Sequence, residues 1–265
     1  MFDDMSLPQP SGGFEWVQES WGDSLRCRPL MNVARHCFST RQLAIDPVRT
    51  DGTARWNDLA HALGIELQGL VRLRQVHRTA VYVADENLPD PDFPGNRPEA
   101  DIAISNDPST ALTIRVADCV PILLADRHSG AVAAIHAGWK GTAAGAAMVA
   151  VDALRSQYGS TPSDVIAAVG PSIGPCCYEV RRELAGHFTS HPEADTWFSR
   201  HAKPHLDLWR ATRDQLARAG VPAAQIHVSA LCTFDHAELF HSYRRDGLNA
   251  GRLVAAIRSA PGRTP

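Results

Sequence analysis

The stretch Ala133–Gly145, AAIHAGWKGTAAG, decides how this chain is read. An apolar run beginning at Ala131 carries His136 and stops at Gly138. A short apolar run closed by glycine reads as a buried strand. From Thr142 the composition turns alanine-rich, TAAGAAMVAVDALRSQYG, and predicts a helix stopped by Gly159. Strand, glycine turn and helix in succession form a β-to-α unit, with an imidazole, an indole and an ammonium gathered at its turn. Taken alone, the turn is equally well explained by a satisfied core histidine and a glycine-capped helix. The polar residues elsewhere in the chain decide between these readings.

The flanking segments continue the alternation. Upstream, Leu70–Val76, Thr79–Asp85, Ala100–Ser105, Ala111–Asp118 and Val120–Asp126 have strand character, and residues 88–98 form a proline-rich loop. Downstream, Asp164–Pro175 is a strand running into a Gly/Pro loop. Leu206–Gly220 is an amphipathic helix with Leu206, Trp209 and Leu216 on one side. Ile226–Thr233 and Gly251–Ala260 are late strands. With no internal repeat or long linker, one α/β domain over residues 1–265 is expected, its first twenty residues a poorly ordered leader.

Bulk properties exclude several function classes. The 265 residues are 44% hydrophobic and 21% charged, with a net charge of −3 and no basic stripe for nucleic acid. No apolar run approaches the roughly 18 residues needed to span a bilayer. The first residues are acidic and polar, unlike a signal peptide, so a cytoplasmic protein is expected. The six cysteines contain no Cys-x-x-Cys pair and read as thiols. The vicinal Cys176 and Cys177 read as loop packing.

Three motifs carry candidate chemistry: RQVHR with His77, VADCVPILLAD with Cys119, and the opening run with His136. Their separations of 42 and 17 residues suit a site assembled from several strand ends. Two imidazoles and one thiolate suit zinc, and three protein ligands leave the fourth tetrahedral position open, as in catalytic sites. Spacing alone leaves open whether the three meet. Gln75, two residues before His77, would share its face if both lie on a strand, to orient His77 or contact a base. Trp139 is either a stacking platform or core cover. No His-x-His pair occurs, which argues against the paired-histidine copper clusters of a true laccase.

The motifs RQVH, ADCVPILLAD, HAGWKGTAAG, GPSIGPCCYEV and SYRRDG occur in this order between about Leu70 and Arg252. In them the chain resembles the YfiH family, the laccase-domain or multicopper polyphenol oxidase-like proteins assigned as purine nucleoside phosphorylases with adenosine deaminase side activity. The resemblance implies a four-layer αββα fold related to the deamidase-toxin cysteine hydrolases. It implies a metal on His77, Cys119 and His136, zinc as a rule and copper in some members. It also implies purine nucleosides, methylthioadenosine among them, and inorganic phosphate as substrates, with a monomer or homodimer as the assembly. The chain departs from the family at three points. It keeps FSTR at Phe38–Arg41 but lacks the glycine-rich stretch that follows, has Lys140 where arginine is common, and has Asp235 where many relatives carry a second cysteine.

In that setting zinc lowers the pKa of a bound water toward about 7, and attack on C6 of adenine would deaminate it. Asp118, beside Cys119, is the candidate general acid/base, or alternatively an orienting group. Phosphorolysis needs cations around phosphate, and Lys140, Arg244 and Arg245 are the candidates. Two rival readings use the same residues or fewer: a metal-free cysteine hydrolase with Cys119 as nucleophile and His136 as base, and a nucleotide-binding protein without turnover.

Overall fold

The computed structural model describes residues 7–45, 53–85, 88 and 94–260. Within them, short apolar runs form twelve strands: β1 Phe14–Glu19, β2 Gly22–Cys27, β3 Ala34–Ser39, β4 Leu70–Arg72, β5 Val81–Val83, β6 Ile102–Ser105, β7 Ala111–Val116, β8 Val120–Asp126, β9 Val132–Ala137, β10 Val165–Val169, β11 Ile226–Val228 and β12 Leu253–Ser259. Six α-helices join them: α1 Arg28–Met31, α2 Thr53–Leu63, α3 Trp139–Ala143, α4 Ala146–Tyr158, α5 Leu208–Arg218 and α6 Tyr243–Asp246.

The strands form two six-stranded sheets, ordered β1-β2-β3-β12-β7-β4 and β11-β10-β8-β9-β6-β5. Strands buried on both faces read as continuous apolar runs, and β8 (VPILLAD) is buried at every position. Leu112, Ile114, Ala255 and Ile257 of the first sheet pack against Leu123, Ala125, Val132 and Ala134 of the second. Trp56, Leu59 and Leu63 of α2 cover the other face of the first sheet. Ala147, Ala150 and Leu154 of α4, with Ala211 and Leu216 of α5, cover the other face of the second. The result is a mixed α/β architecture in the order helix, sheet, sheet, helix. No described helix is long and apolar enough to cross a membrane.

Several boundaries differ from those expected. The stretch expected as a leader contains β1, paired along its length with β2 and anchored by the buried Phe14; residues 1–6 lie outside the described residues. The strand expected over Leu70–Val76 ends at Arg72, because β7 pairs with it only from Leu70 to Arg72. The single helix expected from Thr142 is two, α3 and α4. Gly145 between them has φ +77°, a left-handed conformation that interrupts the α-helical hydrogen-bond ladder. Gly159 closes α4 with φ +68°, as expected.

Candidate functional site

The site lies where three strands of the second sheet end. Antiparallel pairing of β8 with β9 sets Pro121 opposite His136, so Cys119, just before β8, comes beside the C-terminal end of β9. Antiparallel pairing of β6 with β9 sets Ile102 opposite Ile135, and the backbone N–H of His136 donates to Asp101 O at 2.8 Å. His77 sits in the loop after β4 rather than on a strand, with φ +60°. The carboxylate of Asp101 holds that loop: it accepts the backbone N–H groups of Val76 (3.2 Å), His77 (2.9 Å) and Arg78 (2.7 Å). Gln75 and His77 therefore share no strand face. Gln75 instead exchanges two 2.8 Å hydrogen bonds with the backbone of Arg115, mimicking a further strand pair.

Ligand atoms of His77, Cys119 and His136 all lie within 4.8 Å of one another. The two imidazole centroids are 4.7 Å apart with planes at 78°. His136 Nδ1 lies 2.7 Å from Asp101 Oδ1. A carboxylate only accepts, so Nδ1 carries a proton, and Nε2 is the nitrogen left to face His77 and Cys119. Such an outer carboxylate is the usual means of fixing a ligating histidine. The donor set, one soft sulfur and two imidazoles, fits zinc, whose bond lengths put ligand atoms roughly 3.3–3.7 Å apart in a tetrahedron. Glycine at 138 keeps the space clear. A Cβ there would lie 2.8 Å from Cys119 Sγ and 3.4 Å from His77 Cδ2.

The electrostatics follow from this packing. Burial opposes ionisation of Cys119, but His136 and His77 outweigh it and bring the thiol down to about 6. Burial likewise opposes protonation of His136, while the Cys119 thiolate and Asp101 lift it to about 9. Burial raises Asp101, but His136 and the loop N–H groups hold its carboxyl below the usual range. Asp101 is 0% exposed and makes every one of these contacts, yet sequence reasoning missed it. The only signal was an acidic residue opening an otherwise apolar strand, ADIAIS.

A cavity of about 730 Å³ opens over the triad. Trp139, Tyr178 and Tyr243 form aromatic walls, and Arg74, Arg115, Arg244 and Arg252 contribute four guanidinium groups. Asp118 lines it with φ +82°, but both of its oxygens are engaged. Oδ1 accepts the Thr233 hydroxyl at 2.7 Å and Oδ2 accepts the Arg244 N–H at 2.6 Å. That arrangement orients Asp118 toward the Arg244 loop. Arg244 lines the cavity, stacks on the Tyr178 ring at 5.0 Å and gives Nη1 to Glu179 O.

Two of the three expected phosphate cations are elsewhere. Lys140 is exposed outside the cavity, its Nζ 5.6 Å from the Trp139 ring centre. Successive helical residues diverge by about 100°, so with Trp139 facing the cavity Lys140 turns away. Arg245 spends all five guanidinium protons inside the protein, on Asp246 Oδ1 and Oδ2 and on the carbonyls of Thr233, Phe234 and Phe240. It clamps a loop.

Residues 48–260 match the family described as multi-copper polyphenol oxidoreductase laccase. The chain belongs to this family. Its sequence has no His-x-His pair, and the His77, Cys119 and His136 group is one that could hold a metal ion. It is 37% identical over 218 residues to the purine nucleoside phosphorylase YlmD of Geobacillus stearothermophilus, covering 79% of each chain. It is 38% identical over 208 residues to an adenosine deaminase named RL5 from an unknown prokaryotic organism, covering 75% of this chain and 78% of that one. With the purine nucleoside phosphorylase of Bacteroides thetaiotaomicron it shares 37% identity over 161 residues, and the match spans only 60% of that relative. The solved structure of YlmD from Geobacillus stearothermophilus superposes with a TM-score of 0.84 at 30% identity, over 92% of this chain and 98% of that one.

Proposed function

We propose that this protein is a zinc-dependent purine nucleoside phosphorylase that also deaminates adenosine and cleaves methylthioadenosine. The observation that carries the reading is a His77–Cys119–His136 donor set at one end of an arginine-bearing, aromatic-walled cavity of nucleoside size. The relatives named for phosphorolysis and deamination support it. His77, Cys119 and His136 would hold the zinc, which when bound would supply Lewis acidity at that end of the cavity.

The chain's own residues do the rest. Trp139, Tyr178 and Tyr243 offer faces against which a purine stacks. Among the lining cations Arg244 suits phosphate: it stacks on the Tyr178 ring beside the cavity and commits only its Nη1 to a protein acceptor among the described residues, as Arg252 also does. In phosphorolysis the N9–C1′ bond breaks, the purine leaves with the electron pair and takes up a proton, and a phosphate oxygen bonds to C1′. Positive charge developing on the ribose is stabilised by the phosphate that Arg244 holds. Asp118 acts as a positioning residue for that arginine. All six thiols are free, which suits a reducing compartment such as the cytoplasm.

One observation favours a second reading. The Cys119 thiol, drawn down to about 6 beside a protonated His136 oriented by Asp101, is the arrangement of a metal-free cysteine hydrolase. Incubating metal-quantified protein with adenosine, inosine, guanosine and methylthioadenosine, with and without phosphate, separates the two. Free base formed only with phosphate, inosine formed from adenosine, and loss of both on zinc removal support the phosphorylase. Full turnover in zinc-free protein, abolished by alkylation of Cys119, supports the hydrolase.

A further inference from the structure

On the far side of the GPSIGPCCYEV loop, Cys176, Cys177, Cys232 and Asp235 bring ligand atoms within 4.8 Å of one another. Sequence reasoning treated the vicinal cysteines as packing, yet both thiols point at one carboxylate. Cys176 Sγ lies 3.2 Å from Asp235 Oδ2, and Cys177 Sγ lies 3.0 Å from Asp235 Oδ1. The third sulfur, buried Cys232 Sγ, accepts the backbone N–H of Gly174 at 3.2 Å, a bond that also suits a thiolate. Gly174 has no room for a side chain. A Cβ there would lie 2.7 Å from the Trp209 ring and 3.1 Å from Cys176 Sγ. Cys176 and Asp235 are exposed, so an ion can reach the cluster from solvent.

We propose that Cys176, Cys177, Cys232 and Asp235 form a second, structural zinc site that staples the 174–178 loop to the 232–235 turn. Three sulfurs and one carboxylate oxygen complete a four-coordinate zinc sphere, the closed pattern of a structural site. On loading, three thiols release their protons and each sulfur binds the ion through a lone pair. In the protein the same carboxylate is held by two S–H···O contacts, from Cys176 and Cys177.

The two stapled segments are the ones that shape the far wall of the cavity. Tyr178, next to Cys177, is a cavity wall, and its N–H is bonded to Gly174 O at 3.0 Å. Arg245 donates to the carbonyls of Thr233 and Phe234, the two residues between Cys232 and Asp235. Its neighbour Arg244 lies over Tyr178. An ion in the cluster therefore fixes the spacing between Tyr178 and Arg244.

The test is metal analysis of the full chain expressed with zinc and dialysed. Two equivalents are expected in the native protein, one in His77→Ala/Cys119→Ala, and none when Cys177→Ser or Asp235→Ala is added to that pair. Circular dichroism checks that each variant is folded. Cobalt bound to His77→Ala/Cys119→Ala should give a sulfur-to-cobalt charge-transfer band that disappears with Cys232→Ser. Removing zinc should raise amide hydrogen exchange at 174–178 and 232–235 at least tenfold. A folded His77→Ala/Cys119→Ala protein that retains no metal overturns the proposal. So does retained metal that survives both added variants. A mass two hydrogens lower, marking a disulfide among the three cysteines in protein purified with zinc, overturns it as well.

Discussion

His136 Nδ1 and Asp101 Oδ1 are 2.7 Å apart, both side chains buried, with the same carboxylate gripping the backbone of the His77 loop. One acidic residue thus holds the Nδ1 proton of one candidate ligand and the position of another.

Asp101→Asn should therefore weaken zinc at the triad by about 10–100-fold, the usual loss when an outer partner of a ligating histidine is changed. Competition against a chromophoric chelator measures it. Unchanged affinity would mean that Asp101 serves the loop alone.

Cys119→Ser and His77→Ala should each remove one equivalent of bound zinc and abolish turnover with little change in Tm. Both residues reach the cavity, and neither anchors the core. Metal analysis alongside thermal melts reads both effects. Turnover in either variant would count against the metal mechanism.

Gly138→Ala isolates the crowding at the triad. Gly138 has φ −76° and ψ 178°, which alanine adopts freely, so folding stability should hold or rise slightly. The new Cβ would nevertheless lie 2.8 Å from Cys119 Sγ and force the sulfur aside. A loss of at least tenfold in zinc affinity with an undiminished Tm is expected from titration and melting of the same sample.

Arg244 and Arg245 should separate cleanly. Arg244→Ala should raise the phosphate KM several-fold with Tm nearly constant. Arg245→Ala strips donors from three carbonyls and a carboxylate, and should cost about 2 kcal/mol of stability. Phosphate-dependent kinetics and urea titration of both variants test the division of labour.

His36 predicts how stability varies with pH. The Cys27 N–H donates to His36 Nε2 at 2.8 Å, so the ring must be neutral, and burial pushes it down to about 4. Between about pH 6.5 and 4 the unfolded chain binds a proton that the folded chain refuses. Stability is complete above pH 6.5 and falls as pH drops through that window, by roughly 3 kcal/mol for this group. Urea midpoints at pH 7.5, 6 and 5 should fall in that order, and the slope should flatten in His36→Gln. An equally steep profile in His36→Gln would assign the loss to other groups.

Much of the architecture was legible from residue order. The apolar runs of β8 and β9 and the glycine stop of α4 are local signals, set by side-chain periodicity and by φ values that glycine adopts. The N-terminal strands were harder to see. In FEWVQE the side chains of an edge strand are half-buried, so no clean alternation marks it. The heteroatoms of the triad were visible as residue types with ligand chemistry, whereas Lys140 and Arg245 were selected for charge alone, and charge does not say where a side chain points.

By itself, the sequence determined an α/β chain with two histidines and a cysteine available for one metal. Only the tertiary structure decided that they meet, that Asp101 holds two of them, that Arg245 is a clamp, and that Cys176, Cys177 and Cys232 share a carboxylate. The reason is physical. Helix, strand and turn preferences act over a few neighbouring residues. The pairing of β6, β8 and β9 and the contact between the 174–178 and 232–235 segments are instead set by the registry of strands and loops distant in the chain.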